Sequence, residues 1–143
     1  MSRVDFYVLS QEGGDVRQRF ACRLAEKAVE QGNCVYLQTA SLAEAQRLDD
    51  LLWTFNERSF LPHELATEGA PTHARVVVLV GAGIAPASHR QLLINLTDTL
   101  PAELDSYARI AEIVDTDPER KRLSRERYKA YRERGCELES HNV

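Results

Sequence analysis

At 143 residues the chain has room for one domain with a core of its own, and little room for two. Hydrophobic residues make up 43% and charged residues 28%, an ordinary globular mix, and no apolar run approaches the roughly 18 residues that a membrane span requires. The three scattered cysteines, Cys22, Cys34 and Cys136, argue against a disulfide framework; with no secretory-type apolar stretch after Met1–Asp5, they point to a reducing cytoplasm.

The first element is a short apolar run, Val4 to Leu9, which reads as a buried strand. Across residues 15–31, Val16, Phe20, Ala21, Leu24, Ala25, Ala28 and Val29 recur at helical spacing, and Gly32 ends the helix as its cap. Cys34 to Leu37 reads as a second strand. Ser41-Leu42-Ala43-Glu44 has the pattern of a capping box and starts a helix that runs to about Trp53. Residues 54–73, broken by Pro62, Gly69 and Pro71, read as irregular. Arg75 to Val80 is apolar throughout from Val76, as befits a parallel strand covered on both faces. Residues 81–88 form a loop, and Leu92 to Leu96 fits either a strand or a helical turn. A short helix is expected over 101–107, a strand over 110–114 and a last helix over 118–135, with Pro118 in its first turn. Strands alternating with helices predict a single α/β domain with a Rossmann-like, open and mostly parallel sheet carrying helices on both faces.

The usual signatures of catalysis are weak. Gly81-Ala82-Gly83-Ile84-Ala85-Pro86 follows a strand, as a phosphate-binding loop does, but Pro86 sits where the dinucleotide fingerprint needs Gly or Ala. An ordinary turn is the simpler reading; the alternative is a nucleotide-binding α/β enzyme using the Gly81–Gly83 loop. His63, His73, His89 and His141 lie far apart and show no metal-ligand spacing, and no serine occupies a nucleophile elbow. Neither a metal nor another cofactor is expected.

Two other features suggest contact with partners. Trp53, Phe55, Phe60, Leu61 and Pro62 place large apolar side chains at a helix end and in an irregular loop, where they either cover the core or meet another protein. The last helix is strongly basic. Residues 118–135 carry eight basic side chains against three acidic ones, an excess of five, so the remaining residues carry nine net negative charges of the total −4. Lys121, Arg125, Tyr128, Lys129 and Arg132 follow at spacings of four, three, one and three, which puts all five on one face. Leu123, Ala130 and Tyr131 are left to dock on the sheet. An acidic body with one basic face fits a localised anionic partner better than direct binding along DNA.

Three segments in order carry a family resemblance: Arg47-Leu48-Asp49-Asp50-Leu51-Leu52-Trp53, Ser59-Phe60-Leu61-Pro62-His63-Glu64-Leu65 and Arg125-Glu126-Arg127-Tyr128-Lys129-Ala130-Tyr131-Arg132. With the opening strand Asp5-Phe6-Tyr7-Val8-Leu9, they resemble the chi subunits of bacterial DNA polymerase III along essentially the whole chain. The resemblance implies a non-catalytic accessory subunit of the replication machinery. It implies a complex with the small psi subunit, which joins chi to the clamp loader, and a pocket for the acidic, phenylalanine-ending C-terminal tail of single-stranded DNA-binding protein. Tail-binding positions carry over to Arg125, Tyr128 and Lys129, with Lys121 and Arg132 on the same face. The psi-side aromatic carries over to Phe60, bordered by Trp53, Pro62 and His63; in some members a helicase-like repair protein uses that aromatic too. The chain departs from the family pattern in the 81–90 loop and is shorter just before the last helix.

Overall fold

Among the described residues seven parallel strands form one sheet, and it is the alternation of their apolar side chains that builds a core on each side. The computed structural model describes residues 2–56, 61–66 and 76–143. In chain order the elements are β1 (Arg3–Val8), α1 (Val16–Glu30), β2 (Val35–Gln38), α2 (Leu42–Thr54), β3 (His63–Leu65), β4 (Val78–Gly81), β5 (Leu92–Asn95), β6 (Arg109–Val114), α3 (Pro118–Glu133) and β7 (Glu137–Asn142). The strand order is β3-β4-β2-β5-β6-β1-β7, and every pairing is parallel.

Successive side chains of a strand point to opposite faces. Val35 and Leu37 of β2, Val78 and Val80 of β4 and Ile94 of β5 therefore pack with Ala21, Cys22 and Ala25 of α1 and Leu48 and Leu52 of α2. Tyr36, Leu79 and Leu93 point the other way, into a second core with Tyr131 of α3 and with Leu104 and Tyr107, which precede β6. Helices thus cover both faces of an open α/β sheet, as the strand and helix alternation predicts.

The local signals act as expected at several element ends. Gly32 follows α1 with φ +87, the left-handed conformation that favours glycine. Ser41 Oγ accepts from the Glu44 N–H at 3.2 Å, and Glu44 Oε2 accepts from the Ala40 N–H at 3.2 Å, a capping box displaced by one residue on its return bond. Asp117 Oδ2 accepts from the Arg120 N–H at 2.8 Å, with Pro118 in the first turn of α3.

Other expectations need correction. The segment read as irregular contains β3, because His63–Leu65 pairs with β4 as an edge strand. The apolar run from Val76 enters the sheet only at Val78. Leu92–Asn95 is a strand, set between β2 and β6. The helix expected over 101–107 is a single 3₁₀ turn, Leu104–Ser106. The sequence reading did not anticipate β7, which pairs with β1. Cys34 precedes β2 and is only partly buried, whereas Cys22 is fully buried.

Candidate partner-binding surfaces

The orientation of α3 is set by a buried polar network. Ser124, Arg127 and Tyr131 are its buried residues. They recur at spacings of three and four and so face the sheet together. Leu123 and Ala130, expected to dock, are only partly buried, because Arg127 takes the central position of that face. Glu112 on β6 is wholly buried and receives Tyr131 Oη at 2.6 Å, Asn95 Nδ2 at 2.9 Å and Arg127 Nε at 3.2 Å. Burial pushes the Glu112 carboxyl above its ordinary range, and Arg127, Tyr131 and Asn95 oppose that rise.

This network changes the accounting of the basic helix. Arg127 is committed to Glu112. Arg120 Nη1 contacts Asp115 Oδ2 at 2.5 Å, and Arg122 pairs with Glu119 and Glu126. Lys121, Arg125, Lys129, Arg132 and Arg134 have no acidic partner among the described residues. Four of these five are the cations expected on the outward face. Exposed, already paired cations gain little from a further anion, whereas unpaired ones on a single face act together.

Three of the expected residues border one recess of about 250 Å³. Its floor is Phe6 and Val8 of β1 with Val114 of β6, and its rim is Lys121, Ser124, Arg125 and Tyr128 of α3 with Ser140 of β7. The Tyr128 ring lies 5.2 Å from the Phe6 ring, tilted by 57°. Lys129 and Arg132 lie on the same exposed helix face but do not line the recess. The recess therefore combines an apolar floor with two unpaired cations. Sequence reasoning did not identify the floor or Ser140.

The second expected surface lies at the other edge of the sheet. Trp53, at the end of α2, is 55% exposed, and its ring lies 4.5 Å from that of His63 on β3. His63 Nδ1 lies 2.6 Å from the Leu61 carbonyl, and its Nε2 lies 3.4 Å from Asp49 Oδ1. Pro62 is partly buried, and its carbonyl accepts from Val77 and Val78. Trp53, Pro62 and His63 thus form one neighbourhood. Phe60 lies outside the described residues. Edge strand β3 and edge strand β7 stand at opposite ends of the order with five strands between them, so this neighbourhood and the α3 recess are well separated.

The remaining candidate chemistry is muted. The Gly81–Gly83 loop is held by Tyr36, whose Oη donates to the Gly83 carbonyl at 2.7 Å. A Cβ on Gly81 would lie 2.6 Å from that hydroxyl, so Gly81 serves close packing. Burial pushes the Cys22 thiol up to about 12, far from a reactive thiolate. Asp5, Glu139 and His141 are close enough to share a metal ion, but Asp5 already receives Arg109 at 3.0 Å, Arg3 at 3.4 Å and His141 at 3.0 Å, and Arg3 also pairs with Glu139. Arg3 thus bridges two of the three carboxylate and imidazole groups as their counter-charge. No helix among the described residues is long and apolar enough to cross a membrane.

A family model described as "DNA polymerase III chi subunit, HolC" matches residues 1–139. The chain belongs to the DNA polymerase III chi subunit family. It is 42% identical to the DNA polymerase III subunit chi of Pseudomonas aeruginosa over 143 residues, covering 100% of this chain and 98% of the relative. The corresponding subunit of Haemophilus influenzae is 32% identical over 138 residues, covering 96% of this chain and 95% of the relative. That of Escherichia coli K12 is 30% identical over 142 residues, covering 96% of each. All three relatives are chi subunits of DNA polymerase III. The sequence segments that carried the resemblance fall on α2, on the stretch containing β3, and on α3, which are the elements that build the two surfaces.

Proposed function

We propose that this chain is a non-catalytic adaptor of the replication machinery. One surface joins it through psi to the clamp loader, and the other takes the acidic tail of single-stranded DNA-binding protein. The observation that carries this reading is the α3 recess, where Lys121, Arg125 and Tyr128 surround an apolar floor.

That combination suits an anionic peptide ending in an aromatic residue. The terminal phenylalanine enters the recess against Phe6 and Tyr128, where offset or tilted ring contacts are favourable. Its carboxylate lies within reach of Arg125, whose planar guanidinium grips a carboxylate with two parallel hydrogen bonds. Lys121 supplies a point charge, and Lys129 and Arg132 meet acidic residues further along the tail. Trp53, Pro62, His63 and Phe60 form or border the psi surface, which a helicase-like repair protein shares in some members. DNA is engaged only through the tail-bearing partner, since one short cationic face on an acidic body is a poor match for an array of phosphates.

The test is titration of an acidic, phenylalanine-ending peptide into the purified chain, with Arg125→Ala and Lys121→Ala as controls. Saturable binding lost in both variants supports the reading. Binding that ignores both substitutions refutes this placement.

A further inference from the structure

The carboxyl edge of a parallel sheet is where open α/β folds bind ligands, at the point where adjacent strands lead off in opposite directions. Here that point lies between β2 and β5. From β2 the chain crosses through α2 toward the β3 edge, and from β5 it leads the other way to β6. A crevice of about 400 Å³ opens there, within the range of small-molecule sites. It is separate from the α3 recess and from the Gly81–Gly83 loop.

The crevice holds a buried cation with unused bonding capacity. Arg17, in the first turn of α1, is only 5% exposed. Its Nε donates to the Ile113 carbonyl at 3.0 Å, but its buried Nη2 has no hydrogen-bond partner. Burial, and the nearby Arg120 guanidinium, lower Arg17 to about 10, so it remains cationic at neutral pH. Glu112, Asp115 and Asp98 are near enough to support that charge, yet none bonds to Nη2. The buried Nε of Arg120, also on the crevice, makes no hydrogen bond but faces Asp98 Oδ1 at 3.9 Å, and Arg47 adds an exposed cation at the rim.

The backbone at the same place is arranged for an anion. Ser41 caps α2 and Asp117 caps α3, but Asp15 makes no side-chain capping bond to α1. Its carboxylate turns instead to Arg19 at 2.5 Å, and no acidic residue stands in the first turn. The first N–H groups of α1, with the positive end of its dipole, are left for another acceptor. Gly13 and Gly14 precede them. Gly13 holds φ +148, where a Cβ would strike Val16 at 2.8 Å, and a Cβ on Gly14 would meet nothing, so the mouth of the crevice is open. The acidic residues that line it are largely engaged: Asp15 by Arg19, Glu44 by the Ala40 N–H, and Asp98 within 3.9 Å of Arg120.

We propose that this crevice binds a phosphorylated small molecule of mononucleotide size, with its phosphate on Arg17 and the N-terminus of α1. The test is calorimetric titration of the full chain with adenosine monophosphate, inorganic phosphate, adenosine and a short single-stranded oligonucleotide. Adenosine monophosphate should bind more tightly than inorganic phosphate, and adenosine should be inert. Gly14→Asp places a carboxylate at the mouth without a steric clash and should weaken binding at least about tenfold; Arg47→Ala should weaken it by less. Arg17→Gln should abolish binding if it folds, and Gly14→Asp decides the matter if it does not. No binding at millimolar nucleotide, equal binding by adenosine, or indifference to Gly14→Asp would overturn the proposal. Tighter binding by the oligonucleotide than by the mononucleotide would overturn the small-molecule assignment.

Discussion

Arg127 Nη2 lies 3.1 Å from Glu112 Oε1, with the two side chains 4% and 0% exposed. This pair joins α3 to β6 and so sets which face of α3 looks outward. Two charges withdrawn from water together cost desolvation that their attraction only partly repays. Removing one of them leaves the other buried without compensation.

Arg127→Ala is therefore expected to destabilise the fold by about 3–5 kcal/mol. Lys129→Ala, on the exposed face two residues away, should stay within about 0.5 kcal/mol of the parent. Urea unfolding of the three proteins checks this. Similar midpoints for Arg127→Ala and the parent would mean that the buried pair does not anchor the helix.

Acid should weaken the fold partly through Asp5. Burial acts to raise its carboxyl, but hydrogen bonds from His141, Arg109 and Arg3 outweigh that and hold it below the ordinary value of 3.8. A carboxyl lowered in the folded state contributes stability that is present above its unfolded value and is lost as pH falls through the folded one. Stability measured at successive pH values below about 4 should fall less steeply in Asp5→Asn than in the parent. Parallel curves would place the acid sensitivity on other groups.

On the psi side, Phe60→Ala should cost on the order of 2 kcal/mol or more of psi binding if Phe60 fills a pocket on the partner. Trp53→Ala should weaken the same complex, since Trp53 stands 55% exposed above His63. Both variants should keep their unfolding midpoint and still bind the acidic peptide. Collapse of isolated Phe60→Ala would make Phe60 a core residue and remove it from the surface.

The legible parts of the fold were those whose apolar pattern has one period. The stripe of α1, the Ser41 cap and the Pro118 start can be read directly because each reflects a local preference. β7 was not legible because Glu137–Asn142 is a polar edge strand whose place depends on pairing with β1. β3 is three residues long and gives no periodicity of its own. The outward face of α3 was legible from spacing, but the burial of Arg127 was not, since its partner Glu112 lies on another element. The recess floor was hidden for a related reason. β1 and β6 are covered on both sides, so their apolar runs do not reveal which residues face α3.

Calorimetric titration of an acidic, phenylalanine-ending peptide, at low and at high salt, measures the tail-binding role most directly. Two or three charge-assisted hydrogen bonds of roughly 1.5–3 kcal/mol each, with one buried ring and less the ordering of a flexible peptide, give a binding energy of about 8 kcal/mol, or an affinity on the order of micromolar. Binding should weaken as salt rises, because the cations are exposed and screened. It should weaken further in Arg125→Ala and Lys129→Ala, and on removal of the terminal phenylalanine, with psi binding unchanged. Binding that is indifferent to salt and survives Arg125→Ala combined with Lys129→Ala would contradict the assignment and leave this face of α3 simply solvated.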